Sequence, residues 1–514
     1  MGFMHWKPAH PAFHALLNAF LQQTVPVYVV GGVVRDFLLG KPDPQTDLDL
    51  VIEQAALPTA QRVADQLGWH FYPLDPARDV ARLVFSATQG EPLICDIASL
   101  RGDSIEADLW GRDFTINAMA FALERAGQIR LIDMWHGQRD LTQRLVRRVS
   151  AASLADDEVR LLRAVRFTNQ LGFTLEEETL VQIKRMSSAL RLTSLERIRD
   201  ELWKILATDR PAQALEDLRN LGLLGYVLPE VAATVGVEQS YPHYQDVYRH
   251  TLQTVAHAVQ MRNWIKGQPI TNALPATLAW QKMLEPWRTQ LRYHFAQPLA
   301  AGHTRLNWLV WHALLHDVGK PATRTVEEQP SGTMRYRFLE HERVGAETAV
   351  QRLNQLRFSR QETALANAVI EGHMRPHLLD ASFTNQAISL RARYRFFRDA
   401  GGRQFEHPAG VDTLLLALAD YQATYKEASP PNWSGYLTHV HELLAFAFEE
   451  NGLAATQRKP LVDGHALMTQ LKMPPGRQVG ELLAYLLEAQ AAGEIQTHDE
   501  ALALASFRLH EKNL

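Results

Sequence analysis

The sequence predicts an α/β domain built on a mixed sheet, followed by a long remainder that is essentially all helical. Two observations carry this reading. Between about 24 and 147, short β-branched runs alternate with helical stretches; from about 150 onward, apolar residues recur at spacings of three and four. At 514 residues with 46% hydrophobic content, the chain has material for several cores and should form more than one domain.

In chain order, "VPVYVVGG", "LDLVIE", "ARLVFSA", "PLICDIASL" and "IRLIDM" read as strands, with "PTAQRVADQLG" as a helix between them. Then "DDEVRLLRAVRFTNQLGF", "LEEETLVQIKRMSSALRL", "SLERIRDELWKILAT" and "PAQALEDLRNLGLL" read as amphipathic helices, each closed by Gly, Pro or polar breaks. A His-, Tyr- and Pro-rich loop at "SYPHYQDVYRH" opens a second helical region that runs to about 430, and a last helical segment follows "EASPPNWSG". The expected division is 24–147, 148–235, 236–430 and 431–514.

Composition narrows the functional classes. The start of the chain lacks a basic leader followed by an apolar run, and no segment has the uninterrupted apolar length of a membrane span, so the expected location is the cytoplasm with no membrane partner. A single cysteine, Cys95, excludes an internal disulfide and any multi-cysteine zinc site, leaving Asp, Glu and His as metal ligands. The net charge of -4 leaves a nucleic-acid partner to a local patch. Arg125, Arg130, Arg139, Arg144, Arg147, Arg148, Arg160, Arg163 and Arg166 offer one, interleaved with acids. Nothing in the sequence calls for a protein partner.

The first constellation is "YVVGGVVRDFLLGKPDPQTDLDLVIE". On a strand, residues two apart share a face, so Asp47 and Asp49 point the same way while Leu48 and Leu50 face the core. Like charges side by side repel, and hard cations between them relieve the repulsion. Asp and Thr clusters also make turns, so the pair alone decides nothing. Gly31 and Gly32, however, follow an apolar strand and open a helix, where backbone N–H groups can approach a triphosphate, and Arg35 follows to neutralise phosphate. Strand, glycines, helix and carboxylate-bearing strand is the layout of a nucleotidyl-transfer palm using two metals. Asp96 is a candidate third carboxylate.

"GGVVRD", "TDLDLVI", "RDFTINAMAF", "DDEVRLLRAVRF" and "SLERIRDELWKIL" occur in the order of the motifs of the class II tRNA nucleotidyltransferase and bacterial poly(A) polymerase family, which the chain resembles over most of its length. The resemblance implies a nucleotidyltransferase head followed by a helical neck, an HD body and a tail. It implies that Asp47 and Asp49 bind catalytic magnesium, that Gly32 and Arg35 contact the triphosphate, and that Arg112, Asp113 and Asn117 hold ribose and phosphates. Asp157, Arg160 and Arg163, with Arg166 beyond them, match the motif that recognises the incoming base. Spaced three apart, the first three would share a helix face, with a carboxylate for the exocyclic amine of C or A and guanidinium groups for ring acceptors. Gly111 replaces a usual arginine and Asp156 a commoner glutamate. The segment between "ICDIASL" and "RDFT" is compact, which resembles the CC-adding subgroup.

The second constellation is His316-Asp317 in "HALLHDVGKP", with His250, His341, His373 and Asp420 in the order that resembles an HD phosphohydrolase domain. Nitrogen and carboxylate ligands suit a divalent transition metal. Residues 262–305 read as an insertion in this region. The expected partners are the tRNA 3′ end, CTP and ATP, and the expected activity is Mg²⁺-dependent addition of C, CC or CCA to that end. Three alternatives stand beside it: a poly(A) polymerase, an HD phosphatase or phosphodiesterase as the main activity, and an RNA-binding protein with an inactive head.

Overall fold

The computed structural model describes residues 4–23, 25–41, 47–53, 55–86, 92–124, 128–271, 273–300, 302–382, 386–400, 409–426, 429–449 and 459–512. Arg125 of the predicted basic patch lies outside them. The chain forms two compact units, Met1–Ser194 with Asn220–Leu223, and Leu195–Arg219 with Leu224–Leu514. The expected neck, 148–235, is therefore divided: its first helices belong to the first unit and most of the rest to the second.

The first unit is organised by an eight-stranded sheet in the order β1-β8-β7-β2-β3-β6-β5-β4. Its strands are β1 (Met4–His5), β2 (Val27–Val30), β3 (Asp47–Ile52), β4 (His70–Asp75), β5 (Val80–Phe85), β6 (Leu93–Ser99), β7 (Ala120–Leu123) and β8 (Gln128–Ile132). All the pairings are antiparallel except β3 with β6, so the sheet is mixed, as expected. The β-branched runs became strands because they bury one or both faces: Val27, Val29 and Val30 are at most 2% exposed. Three strands of this sheet were hidden. β1 is only two residues long. β7 begins at the end of the "TINAMAF" run, where short alanine-rich sequence gives no β signal. β4 is an edge strand with mostly exposed side chains and thus no alternation to read.

Helices α1 (Pro11–Leu21), α2 (Gly32–Leu38), α3 (Ala56–Leu67), α4 (Ile105–Trp110) and α5 (Gly137–Gln143) pack on or border the sheet. β9 (Leu145–Val146) pairs in parallel with β10 (Thr174–Leu175), bracketing α6 (Arg160–Leu171), and α7 (Glu177–Met186) follows. α6 ends at Gly172, whose left-handed φ of 69° lets its N–H cap the helix at Thr168.

The second unit is helical, with two short hairpins, at 298–304 and 324–338, that the all-α expectation did not include. Its centre is the helix Gly410–Thr424, buried along almost its whole length against the helices Val247–Lys266 and Arg305–Leu315. The predicted insertion is an integral part of this core. Its helices Pro275–Leu284 and Arg288–Phe295 bury Trp280, Leu291 and Phe295, and His294 joins Arg305 on the carboxylate of Asp412 at 2.8 and 2.7 Å. Burial would raise the pKa of Asp412, but Arg305 and His294 hold it far below the usual carboxylate range. The C-terminal helices Gly464–Gln470, Arg477–Ala491 and His498–Lys512 enclose a small core of their own around Leu467, Leu486 and Ala505.

Candidate functional site

In the first unit, β3 shows the alternation expected of it: Asp47 and Asp49 are exposed, and Leu48 and Leu50 are 1% exposed. Asp49 sits in register with Asp96 of the neighbouring parallel strand. Arg82 on β5, in register on the far side, holds Asp96 through two hydrogen bonds of 2.7 and 2.8 Å. Asp96 thus contributes negative potential to the site while both its oxygens are held by Arg82.

Gly31, with φ 77°, caps the start of α2 and lies against Asp49; a Cβ there would stand 3.2 Å from Asp49 Oδ2 and 3.9 Å from an Arg112 nitrogen. Crowding by the surrounding protein, then Asp96 and Asp47, push the Asp49 carboxyl up to about 6 against the pull of Arg112 and Arg163. Adjacent carboxylates that resist ionising together are groups that a divalent cation would stabilise, so their chemistry and position fit a magnesium ligand pair.

Behind them runs a continuous polar network. Arg35, 6% exposed, donates to Asn117 Oδ1 at 2.9 Å and to both oxygens of Asp36. Asn117 donates to Asp113 at 3.2 Å, and Arg163 forks onto Asp113 at 2.6 and 2.7 Å. Burial would raise the Asp113 pKa, yet Arg163, the Phe114 N–H and Asn117 lower it, so it is a carboxylate at neutral pH. Arg112 is held by Asp108 at 2.9 Å. The guanidinium groups of Arg35, Arg163 and Arg166 all lie over the ring of Phe167, 4.2 to 5.3 Å from its centre. This cluster of fixed positive charge beside Asp49 suits a polyphosphate.

The structure corrects the expected shared helix face at Asp157. α6 begins at Arg160, and Asp157 lies in the turn before it, accepting from the Val159 N–H at 3.3 Å. The acidic and serine-rich stretch before Arg160 makes turns rather than helix. Arg160 is 8% exposed and anchored to the carbonyls of Ser153 and Gly111 at 2.7 and 2.8 Å. Much of the basic patch is likewise internally paired: Arg147 with Asp140 and Glu176, Arg148 with Glu178, Arg139 with Asp140 and Arg130 with Glu124. Phe167, Asp108 and Arg82 were not singled out from the sequence. Only Asp108 left a signal, its i,i+4 spacing to Arg112.

In the second unit, all six predicted residues converge. His250, His316 and Asp317 form one compact ligand set, and Asp317, His341 and His373 another. Asp420 Oδ1 is 2.9 Å from His250 Nε2. Close approach of two backbones delivers His341: a Cβ on Gly319 would lie 2.2 Å from the His341 carbonyl oxygen, so the turn after Asp317 must carry glycine. His316, His341 and His373 each turn Nδ1 toward a backbone carbonyl, which leaves Nε2 facing inward. His316 Nε2 and both ring nitrogens of His250 are buried without an aligned hydrogen-bond partner, while Lys320 Nζ stands 2.7 Å from Asp317 Oδ2. Burial opposes charge on His316, but Asp317 and Asp420 raise its pKa to about 10, so a proton is held among the carboxylates. Burial lowers His373 to about 3, keeping its ring neutral. Orphaned nitrogens facing buried carboxylates fit a divalent metal. A cavity of about 540 Å³ opens on this cluster, lined also by Lys320, Arg335, Arg337 and His377.

Three segments match family descriptions: "Poly A polymerase head domain" over 27–147, "Probable RNA and SrmB- binding site of polymerase A" over 172–234, and "HD domain" over 247–423. The chain is 33% identical over 484 residues to an A-adding tRNA nucleotidyltransferase of Deinococcus radiodurans, covering 92% of this chain and 94% of that protein. It is 32% identical to a CC-adding tRNA nucleotidyltransferase of Thermus thermophilus, covering 93% of each. Its fold is similar to that of a Thermotoga maritima CCA-adding enzyme solved with tRNA, with TM-score 0.55, 21% identity, and coverage of 99% and 100%. No helix among the described residues is long and apolar enough to cross a membrane. With both carboxylates, the glycine turn and the arginine network in place, and relatives matched over nearly their whole length, the chain belongs to the tRNA nucleotidyltransferases, a family of enzymes.

Proposed function

We propose that the chain adds C residues to the 3′ end of tRNA, with the head site doing the chemistry. The observation that carries this is Asp47 and Asp49 on one face of β3, backed by Gly31 and Arg112. Asp47 and Asp49 would hold magnesium, which lowers the pKa of the attacking 3′ hydroxyl and offsets the charge of the triphosphate. Gly32 lies in the first turn of α2, where unpaired N–H groups suit phosphate. Arg35 and Arg163, already locked by Asn117 and Asp113, supply fixed positive charge to the departing pyrophosphate without reorganising. The 3′ hydroxyl attacks the α-phosphorus and the bond to pyrophosphate breaks.

Base choice we assign to Asp157 with Arg160 and Arg163. Support comes from their adjacency: the charges of Asp157 and Asp113 act on Arg160, and its anchored guanidinium would present one fixed edge. The compact connection from β6 to α4 favours CC addition. The relatives include A-adding and CC-adding enzymes at almost equal identity, so the deciding test is biochemical. Labelled CTP and ATP are offered separately to tRNAs ending before the first C and after CC. Two C residues and no A support the proposal; A added only after CC replaces it with A addition, and a long A tail with a poly(A) polymerase.

We further propose that the HD site holds a divalent transition metal on His250, His316, Asp317, His341, His373 and Asp420 and hydrolyses a phosphoester. The observation favouring it is the convergence of all six side chains, four of which, Asp317, His341, His373 and Asp420, line a cationic cavity. Phosphate release that survives Asp49→Asn and vanishes in Asp317→Asn tests it. We also place the chain in the cytoplasm, on its one buried cysteine, and divide it into head, neck, HD body and tail.

A further inference from the structure

Large exposed apolar groups are informative where they cluster. On the first unit, Trp110 is 46% and Met134 52% exposed, and the Trp110 ring lies 4.4 Å from that of Trp135, tilted by 52°. Their place in the fold ties them to the catalytic carboxylates. Val51, on the same face of β3 as Asp47 and Asp49, packs in one cluster with Ile105 and Leu109 of α4, and Trp135 packs against that cluster. Trp110 ends α4, and two residues on, Arg112 reaches the Gly31 turn beside Asp49. The charge around this cluster is mixed: Glu53, Glu106 and Glu124 act with Arg130 on Tyr28, which packs against it. Arg101 is exposed, has no acidic side-chain partner among the described residues, and lies near enough to Arg160 for their charges to interact. Its backbone N–H is held by Asp108 of α4 at 3.3 Å.

We propose that Trp110, supported by Trp135, is a stacking platform for the single-stranded 3′ end of the acceptor RNA, with Arg101 on its phosphates. This rests on the RNA 3′-end reading above. An exposed ring two residues from the Arg112 that reaches the Gly31 turn, on the helix whose Asp108 holds the Arg101 backbone, matches what single-stranded nucleic acid requires. Every base offers a π-face, so stacking holds the strand without dictating its sequence, and Arg101 adds a salt-sensitive phosphate contact. Trp135 is half-buried, with its Nε1 enclosed and lacking a hydrogen-bond partner, so it backs the outer ring and Trp110 is the one that touches RNA.

The test uses the full chain and an acceptor-stem RNA hairpin whose single-stranded 3′ end carries 2-aminopurine. Binding should quench the fluorophore. Trp110→Ala should abolish most of the quench and raise KM for the RNA about tenfold, within the range of one lost base stack. KM for the nucleotide and Tm should stay unchanged, and Trp110→Phe should restore the quench. A blunt-ended hairpin should bind wild type and Trp110→Ala equally. Undiminished quench in Trp110→Ala overturns the proposal, as does a KM increase that Trp110→Phe does not reverse or that the blunt hairpin shares. The quench needs no turnover, so an inactive head would sink the catalytic reading while leaving this test intact.

Discussion

In the head, Asp47 and Asp49 stand exposed on a strand with fixed guanidinium groups around them. In the HD region, His250, His316, Asp317, His341, His373 and Asp420 are each no more than 7% exposed. Both places gather groups that repel or desolvate one another unless a cation is present, but they are built for different cations. Oxygen ligands open to solvent suit an ion that arrives with its substrate and leaves with the product. Buried imidazoles and carboxylates, with the Nδ1 of His316, His341 and His373 already bonded to backbone, suit an ion that stays.

The comparison breaks most sharply if one site is removed. Asp49→Asn should lower nucleotide incorporation by about a thousandfold or more, the scale of losing several kcal/mol of transition-state stabilisation, and leave metal content unchanged. Metal content measured on the purified variant checks this. Asp317→Asn should do the converse: bound transition metal, near stoichiometric in wild type after chelator-free dialysis, should fall to trace levels, with incorporation within a few-fold. If dialysis alone strips wild type, the contrast between a resident and a visiting ion is wrong.

The fixed-charge network sharpens the head side. Asp113→Ala leaves Arg163 and Asn117 without their shared acceptor. It should cost about 2 kcal/mol in urea unfolding and raise KM for the nucleotide, because Asn117, which orients Arg35, loses its own anchor. Acidity gives a smaller effect. The Asp49 pKa is raised to about 6, so below that pH the carboxyl carries a proton that magnesium must displace. At subsaturating magnesium, the apparent magnesium affinity should fall about tenfold per pH unit below 6, and excess magnesium should restore the rate. A flat response from pH 7.5 to 5 counts against a carboxylate-held ion. Smallest, Arg82→Met should cost at most about 1 kcal/mol, since Arg82 and Asp96 are both partly exposed.

How far each site could be read from the sequence follows from the distance over which its contacts run. The aspartate pair was legible because the two-residue period of a strand is local, and the glycines beside it mark a turn that only a positive φ allows. The HD ligands spread from 250 to 420, so only their order in the chain hinted at convergence. Asp96 beside Asp49 depends on which strands pair in parallel, which no local pattern encodes. Asp157 was placed on the helix for a local reason: serine and aspartate side chains before Arg160 bond backbone groups and hold that stretch in turns, so helical spacing was applied one turn too early.

The central claim is that the exposed pair, not the buried cluster, transfers the nucleotide. Its most direct test is single-turnover incorporation of labelled CTP into tRNA lacking its terminal CCA, comparing wild type, Asp49→Asn and Asp317→Asn. The account predicts rapid addition by wild type and Asp317→Asn and none by Asp49→Asn. Addition that survives Asp49→Asn, or that disappears with Asp317→Asn while the protein remains folded, would contradict it.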